Sequence, residues 1–128
     1  MANSKKQCRY CDQWYPENFF PVAATRTTKI YRRRKCRSCY RATKQRLIQH
    51  CYQWLVDYKQ KQGCRKCGIA DHRVLDLHHT NKDEKEFTIG RLRRSVAFGR
   101  VKKEARKCVV LCANCHRILH SMERESRV

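Results

Sequence analysis

The stretch Lys107 to His120, KCVVLCANCHRILH, packs a strand, a turn and a helix into fourteen residues. "CVVLC" is apolar and β-branched and reads as a buried strand. Cys112-x2-Cys115 is a knuckle that sets two sulfurs on one side of a tight turn. "NCHRILHSMERE" then reads as a helix, with Asn114 as N-cap and Ile118, Leu119 and Met122 on the packed side. His116 and His120 lie four residues apart, so their imidazoles stack on one helix face. The knuckle pins the start of that helix, and with it His116.

The segment to set against this helix is "LDLHHTN", Leu75 to Asn81. With Arg73 and Val74 before it, the segment alternates in polarity and reads as a strand. His78 and His79 are neighbours, so on a regular strand they point to opposite faces. Both enter one site only if the strand ends or twists there, which the polar "TNKDEK" that follows allows. Asp76 stands two residues before His78. Asp71 and His72 fall in the preceding turn, and His72 and His50 read as surface residues.

Ten cysteines are present, and eight of them form four C-x2-C pairs: Cys8/Cys11, Cys36/Cys39, Cys64/Cys67 and Cys112/Cys115. Two such knuckles make the four-sulfur cage that structural zinc favours. The simplest pairing is sequential, with 24 residues between the first two pairs and 44 between the last two. Cys51 and Cys108 read as small core residues. Disulfides are the alternative. Against them, "ANSKKQCRYC" is polar and basic and lacks the apolar stretch of a secretory leader. The longest apolar run, "CVVLCA", is far too short to span a bilayer. The expectation is a cytoplasmic, reducing setting in which paired cysteines bind metal.

The formal charge is +20, with +12 in residues 1–62 (15 Lys/Arg against 3 Asp/Glu) and +8 in residues 63–128 (16 against 8). Two zinc ions, each with four thiolates, would still leave about +16. Such an excess on a small chain points to a polyanion, and so to nucleic acid. No basic amphipathic helix or lipidation signal points to a membrane.

The chain then divides into a zinc ribbon (1–39), a linker helix (40–62) and a second metal-stapled module (63–128). The ribbon's loop, "TRTTKIYRRRK" from Thr25 to Lys35, places Arg32, Arg33, Arg34 and Lys35 beside a knuckle. They read as phosphate contacts, with a solvated loop as the alternative. From Tyr40 to about Gln62, Leu47, Ile48, Cys51, Leu55 and Tyr58 recur at helical steps, and Gly63 ends the run. The helix is expected to set the spacing of the modules at about 1.5 Å per residue. Phe87 to Lys107 mixes Ile89, Leu92, Val96 and Val101 with cations and reads as one or two short helices broken near Gly99.

Together, "CRKCG", "LDLHH" and "KCVVLCANCHRILH" resemble the HNH, or ββα-metal (His-Me finger), endonuclease family over about Gly63 to His120. The knuckle, the acid-x-His-His strand, the second knuckle and the His-x3-His helix come in that family's order. The first forty residues resemble the zinc ribbon that precedes some phage and bacterial HNH proteins. The fold class expected is a small α+β protein, metal-stabilised, with a four-cysteine zinc ribbon, a linker helix and a ββα-metal module carrying a second four-cysteine zinc site.

The resemblance implies that His78 and His116 bind a catalytic divalent cation, and that His120 is a third ligand as in the family's toxin nucleases. It implies that His79 is the general base and that Asp76 orients a histidine from behind. Arg117 stands as a phosphate clamp, with solvent the alternative. Where the family carries a central Asn before its second strand, this chain has Lys107-Cys108; Asn114 and Asn81 are the candidate substitutes. The cofactors expected are two structural Zn²⁺ and one catalytic cation, first Mg²⁺, with Mn²⁺, Ni²⁺, Co²⁺ or Zn²⁺ tolerated by imidazole ligands. The activity implied is cleavage of DNA phosphodiesters to 5′-phosphate and 3′-hydroxyl ends. The alternatives are a non-catalytic zinc-stabilised nucleic-acid-binding protein and an enzyme acting on RNA. A homodimer would suit cutting both strands of two-fold DNA.

Overall fold

The computed structural model describes residues 4–86, 88–89 and 98–127. The chain divides into two compact units, Met1–Leu47 and Ile48–Val128. Among the described residues there are six short strands in three antiparallel pairs and three α-helices. No helix among them is long and apolar enough to cross a membrane.

In the first unit, β1 (Lys5–Gln7) pairs with β2 (Trp14–Pro16), and β3 (Val22–Arg26) with β4 (Lys29–Arg32). The segment expected to be a basic loop is therefore mostly a hairpin. Its turn passes through Thr27, whose φ of 52° lies in the left-handed region. Thr25, Ile30 and Tyr31 suit a strand, and the surrounding cations mask that pattern in the sequence. The buried core is Cys8, Phe20 and Cys36, with Tyr15, Phe19, Cys11 and Cys39 packed around it. This is a core made largely of sulfur.

Helix α1 (Arg37–Gln62) begins three residues earlier than Tyr40. The Tyr40 amide donates to the Cys36 carbonyl at 2.9 Å, so the second knuckle is itself the first helical turn. The boundary between the two units falls inside the helix, after Leu47, and Cys51 and Leu55 of its later half belong to a buried cluster of the second unit. Cys51, Leu55 and Val56 are buried, whereas Leu47 is 58% exposed. Gly63, at φ 62°, ends the helix by donating to the Lys59 carbonyl at 2.9 Å.

In the second unit, β5 (Leu75–His79) pairs with β6 (Cys108–Cys112), with Leu75 opposite Cys112 and His79 opposite Cys108. A short 3-10 turn, His72–Val74, precedes β5 and is capped by Asp71. Helix α2 (Phe98–Ala105) contains Gly99 as its second residue; residues 90–97, on which the expected break and any preceding helix bear, lie outside the described residues. Leu92 and Val96, expected on an apolar face nearby, lie outside the described residues. Helix α3 (Ala113–Glu125) follows β6 directly. Its N-cap is Cys112, whose Sγ accepts from the Cys115 amide at 3.4 Å; Asn114 lies inside the first turn. Of the three residues expected on the packed side, only Leu119 is packed, while Ile118 and Met122 are 59% and 61% exposed. Two buried clusters support β5 and β6. One joins Cys51, Leu55, Ile89, Val101 and Ala105, and the other joins Cys64, Leu75, Val110, Leu111 and Cys112.

Candidate metal centre

Among the described residues, three groups of side chains are gathered tightly enough to hold a metal ion: Cys8/Cys11/Cys36/Cys39, Cys64/Cys67/Cys112/Cys115 and His78/His116/His120. The cysteines pair sequentially, and all ten are free. Cys11 Sγ lies 4.0 Å from Cys36 Sγ, and Cys67 Sγ lies 3.7 Å from Cys112 Sγ. A zinc ion about 2.3 Å from each sulfur gives tetrahedral edges of about 3.8 Å, so both groups fit it. The two leading knuckles share one backbone. The Cys8 carbonyl accepts from the Asp12 amide and the Cys64 carbonyl from the Gly68 amide, and Asp12 (φ 57°) and Gly68 (φ 78°) both take the left-handed turn.

The thiols show why a cation would suit each group. Burial alone would raise Cys8, but amides of Cys36, Tyr10 and Cys11 outweigh it and bring the thiol down to about 6. Cys39, beside the Cys36 sulfur and partly desolvated, is pushed up to about 12. The second group repeats this split. Cys64 falls to about 6 because backbone amides overcome its burial, and Cys115, next to Cys112, rises to about 12. Four adjacent thiols therefore ionise together only around a positive ion.

The imidazole group is built by strand alternation. Asp76 and His78 point from β5 toward α3, while Leu77 and His79 point the other way. His78 Nδ1 lies 3.1 Å from His116 Nε2, which lies 3.0 Å from His120 Nε2. His78 is 7% exposed. Its burial, with His116 and His120 adding to it, lowers its pKa. Behind the rings stand carboxylates. His116 Nδ1 donates to Asp76 Oδ2 at 3.2 Å. Glu123 faces the outer nitrogens of the other two, 3.7 Å from His78 Nε2 and 3.4 Å from His120 Nδ1. Lys82 donates to Glu123 at 2.9 Å and, more than any other group, keeps it ionised. With the outer nitrogens protonated toward carboxylates, the inner ones are free to bind a cation, and this pattern is characteristic of metal-ligating histidines.

Glu123→Gln is accordingly expected to weaken cation binding at the imidazole group by about 10- to 100-fold while leaving both cysteine groups loaded. Titration calorimetry with Ni²⁺ or Co²⁺ on the zinc-loaded protein measures it. Unchanged affinity would show that Glu123 does not tune the site.

His79 lies apart from this group. Its Nε2 is 2.7 Å from Oε1 of Glu104, a carboxylate only 1% exposed. Burial would raise the Glu104 pKa, but bonds from His79, Lys107 and the Glu86 amide overcome it and lower the pKa instead. Lys107 Nζ also donates to the Glu84 carbonyl at 3.0 Å and to Glu86 Oε1 at 2.8 Å, and the Lys107 carbonyl accepts from Thr80 Oγ1 at 3.2 Å. These bonds fasten the loop after β5. Asn81 adds to them through the Asp83 amide and Glu84. His79, Asp76 and His116 border one cleft of about 620 Å³, together with Lys59, Arg73 and Lys85.

The cations expected to meet phosphate differ in their freedom. Arg32 is tied to the Phe20 carbonyl at 2.8 Å, and Lys35 donates to Thr43 at 3.0 Å while sitting over the Tyr10 ring. Arg33 stacks on Tyr40, and both Arg33 and Arg34 are exposed. Arg117 is exposed on α3. Sequence reasoning assigns no role to Glu104, Glu123, Lys82 or Lys107. Only Glu123 carries a signal there, three residues after His120 and so on the same helix face.

No protein-family model matches the chain, and neither curated proteins nor solved structures yield a match.

Proposed function

We propose that the chain is a metal-dependent endonuclease of the HNH type, cleaving DNA phosphodiesters to 5′-phosphate and 3′-hydroxyl ends. The observation that carries this reading is the gathering of His78, His116 and His120 at a strand–strand–helix junction, with His79 outside the group but lining one cleft together with His116. Three protein ligands leave coordination positions open, as a catalytic centre needs and a structural one does not. The residues fit a divalent cation: imidazoles suit Ni²⁺, Co²⁺ and Zn²⁺, whereas Mg²⁺ and Mn²⁺ favour oxygen ligands and would rely on water and phosphate oxygens at the open positions.

When bound, the cation supplies neutralising charge to a phosphate oxygen and to the departing 3′ oxygen. The protein's own part is to hold and deprotonate. His78, His116 and His120 hold the cation, and Asp76 and Glu123 keep their rings turned inward. His79 accepts the proton of the attacking water, a role that suits a side chain titrating near neutrality. Arg117 and the exposed Arg33 and Arg34 face phosphates, and the exposed rings of Tyr10 and Trp14 add stacking area on the first unit. The net charge of +20 draws the polyanion in.

Supercoiled plasmid incubated with the zinc-loaded protein and Mg²⁺, Mn²⁺, Ni²⁺ or Co²⁺ is expected to be nicked or linearised, leaving ends that a ligase can join. DNA that is shifted in a gel yet uncut with every cation would reject the enzyme and leave a zinc-stabilised binding protein. Binding itself is expected to weaken steeply with salt, log Kobs falling by about 0.9 per phosphate contacted for each unit of log salt. A flat response in a filter-binding titration would remove the polyanion argument.

A further inference from the structure

The nuclease reading leaves one group unexplained: a carboxylate with almost no solvent contact, on a helix that carries none of the proposed ligands. Glu104 is the penultimate residue of α2, and that helix is seated by Val101 and Ala105, both 0% exposed. Its carboxylate is held from three directions. Lys107 Nζ lies 3.1 Å from Oε2, the Glu86 amide donates to Oε1 at 3.1 Å, and His79 Nε2 lies 2.7 Å from Oε1. Burying a carboxylate is costly unless its charge is matched and its oxygens are bonded. Lys107 and the Glu86 amide meet that requirement without His79, so they fix Glu104 as an ionised acceptor. An ionised acceptor at 2.7 Å requires the ring nitrogen facing it to carry the proton.

We propose that Glu104 is the positioning residue of the base: it holds the proton of His79 on Nε2 and so leaves Nδ1 as the free acceptor of the ring. This inference rests on the nuclease reading. Among the described residues His79 has no other side-chain hydrogen-bond partner, and it borders the cleft. The reaction then balances simply. A water O–H bond breaks and its proton goes to Nδ1. The water oxygen forms its bond to phosphorus. The P–O3′ bond breaks, and the 3′ oxygen leaves with the electron pair and is protonated by solvent. The imidazolium so formed lies directly against Glu104, which stabilises it. Lys107 contributes by fixing Glu104, at the position where the family's central Asn would stand. The alternative is that Glu104 and Lys107 only fasten the loop after β5.

Two measurements separate these roles. Long-range ¹⁵N–¹H correlation spectra of the zinc-loaded wild type, free of DNA, report which nitrogen of His79 is protonated; Nε2–H is expected, and Nδ1–H would overturn the proposal without any substitution. Single-turnover cleavage of a duplex oligonucleotide is then compared for wild type, Glu104→Gln and Glu104→Asp. Glu104→Gln is expected to lower the rate about 10- to 100-fold with unchanged DNA and Ni²⁺ affinity, and Glu104→Asp to recover part of it. A Glu104→Gln variant as fast as wild type would overturn the proposal while leaving the nuclease intact. A wild type that cuts nothing would overturn both, and an Nε2–H signal would then mark the pair as structural.

Discussion

Stripping the metal from the Cys8/Cys11/Cys36/Cys39 group is expected to unfold the first unit completely. Its buried core, among the described residues, is Phe20 and two cysteines of a group that could hold a metal ion. Full burial of a phenylalanine contributes about 1.5–3 kcal/mol. An isolated two-stranded hairpin is marginal in water, and this unit holds two of them. A structural zinc contributes about 10–16 kcal/mol, far more than either. The same four thiols do not all ionise together without a cation, with Cys8 down to about 6 and Cys39 up to about 12. Limited trypsin digestion of the full chain reads the outcome, because Arg26 and Lys29 flank the β3–β4 turn. Rapid cutting there is expected after chelation and in Cys36→Ser, while the zinc-loaded wild type is spared. Protection that survives full removal of the metal would show that the fold stands without it. The second unit should keep residual order longer, because Leu75, Leu111, Val110, Val101 and Ile89 give it apolar clusters of its own.

The knuckles were legible because C-x2-C is a local geometry: the spacing alone puts both sulfurs on one side of a turn. The helix through Cys51 and Leu55 and the two strands around Leu77 and Val110 were legible for the same reason of short-range pattern, whereas the pairing of the knuckles across 24 and 44 residues was read from their order along the chain. What escaped is what depends on partners far along the chain. Asn114 has the chemistry of a cap, but Cys112, placed by the knuckle, occupies the capping position first. Ile118 and Met122 have the composition of a core face, yet His116, Leu119, His120 and Glu123 take the inner side of α3 because the ring cluster and Leu75 lie there. Glu104 sits in "KKEARK", inside the Phe87–Lys107 stretch whose expected packing positions were Ile89, Leu92, Val96 and Val101 alone. Its burial follows from helix α2 turning Val101, Glu104 and Ala105 to the same side.

His79→Ala is expected to lower the cleavage rate by about 10²- to 10⁴-fold, the usual contribution of a positioned base. Cation and DNA affinity should stay near wild type. His78→Ala is expected to abolish cleavage by losing the cation. The two residues are adjacent, so any diffuse effect of substitution should strike both alike; strand alternation says it will not. His78 faces His116 Nε2 at 3.1 Å, whereas His79 faces Glu104 at 2.7 Å on the other side of β5. Visible absorption of bound Co²⁺ separates them directly. The signal of the imidazole site should persist in His79→Ala and vanish in His78→Ala, against an unchanged background from the cysteine groups. If His79→Ala also released the ion, the two rings would be joint ligands, no imidazole would be left to deprotonate water, and the site would be a closed structural centre instead of a catalytic one.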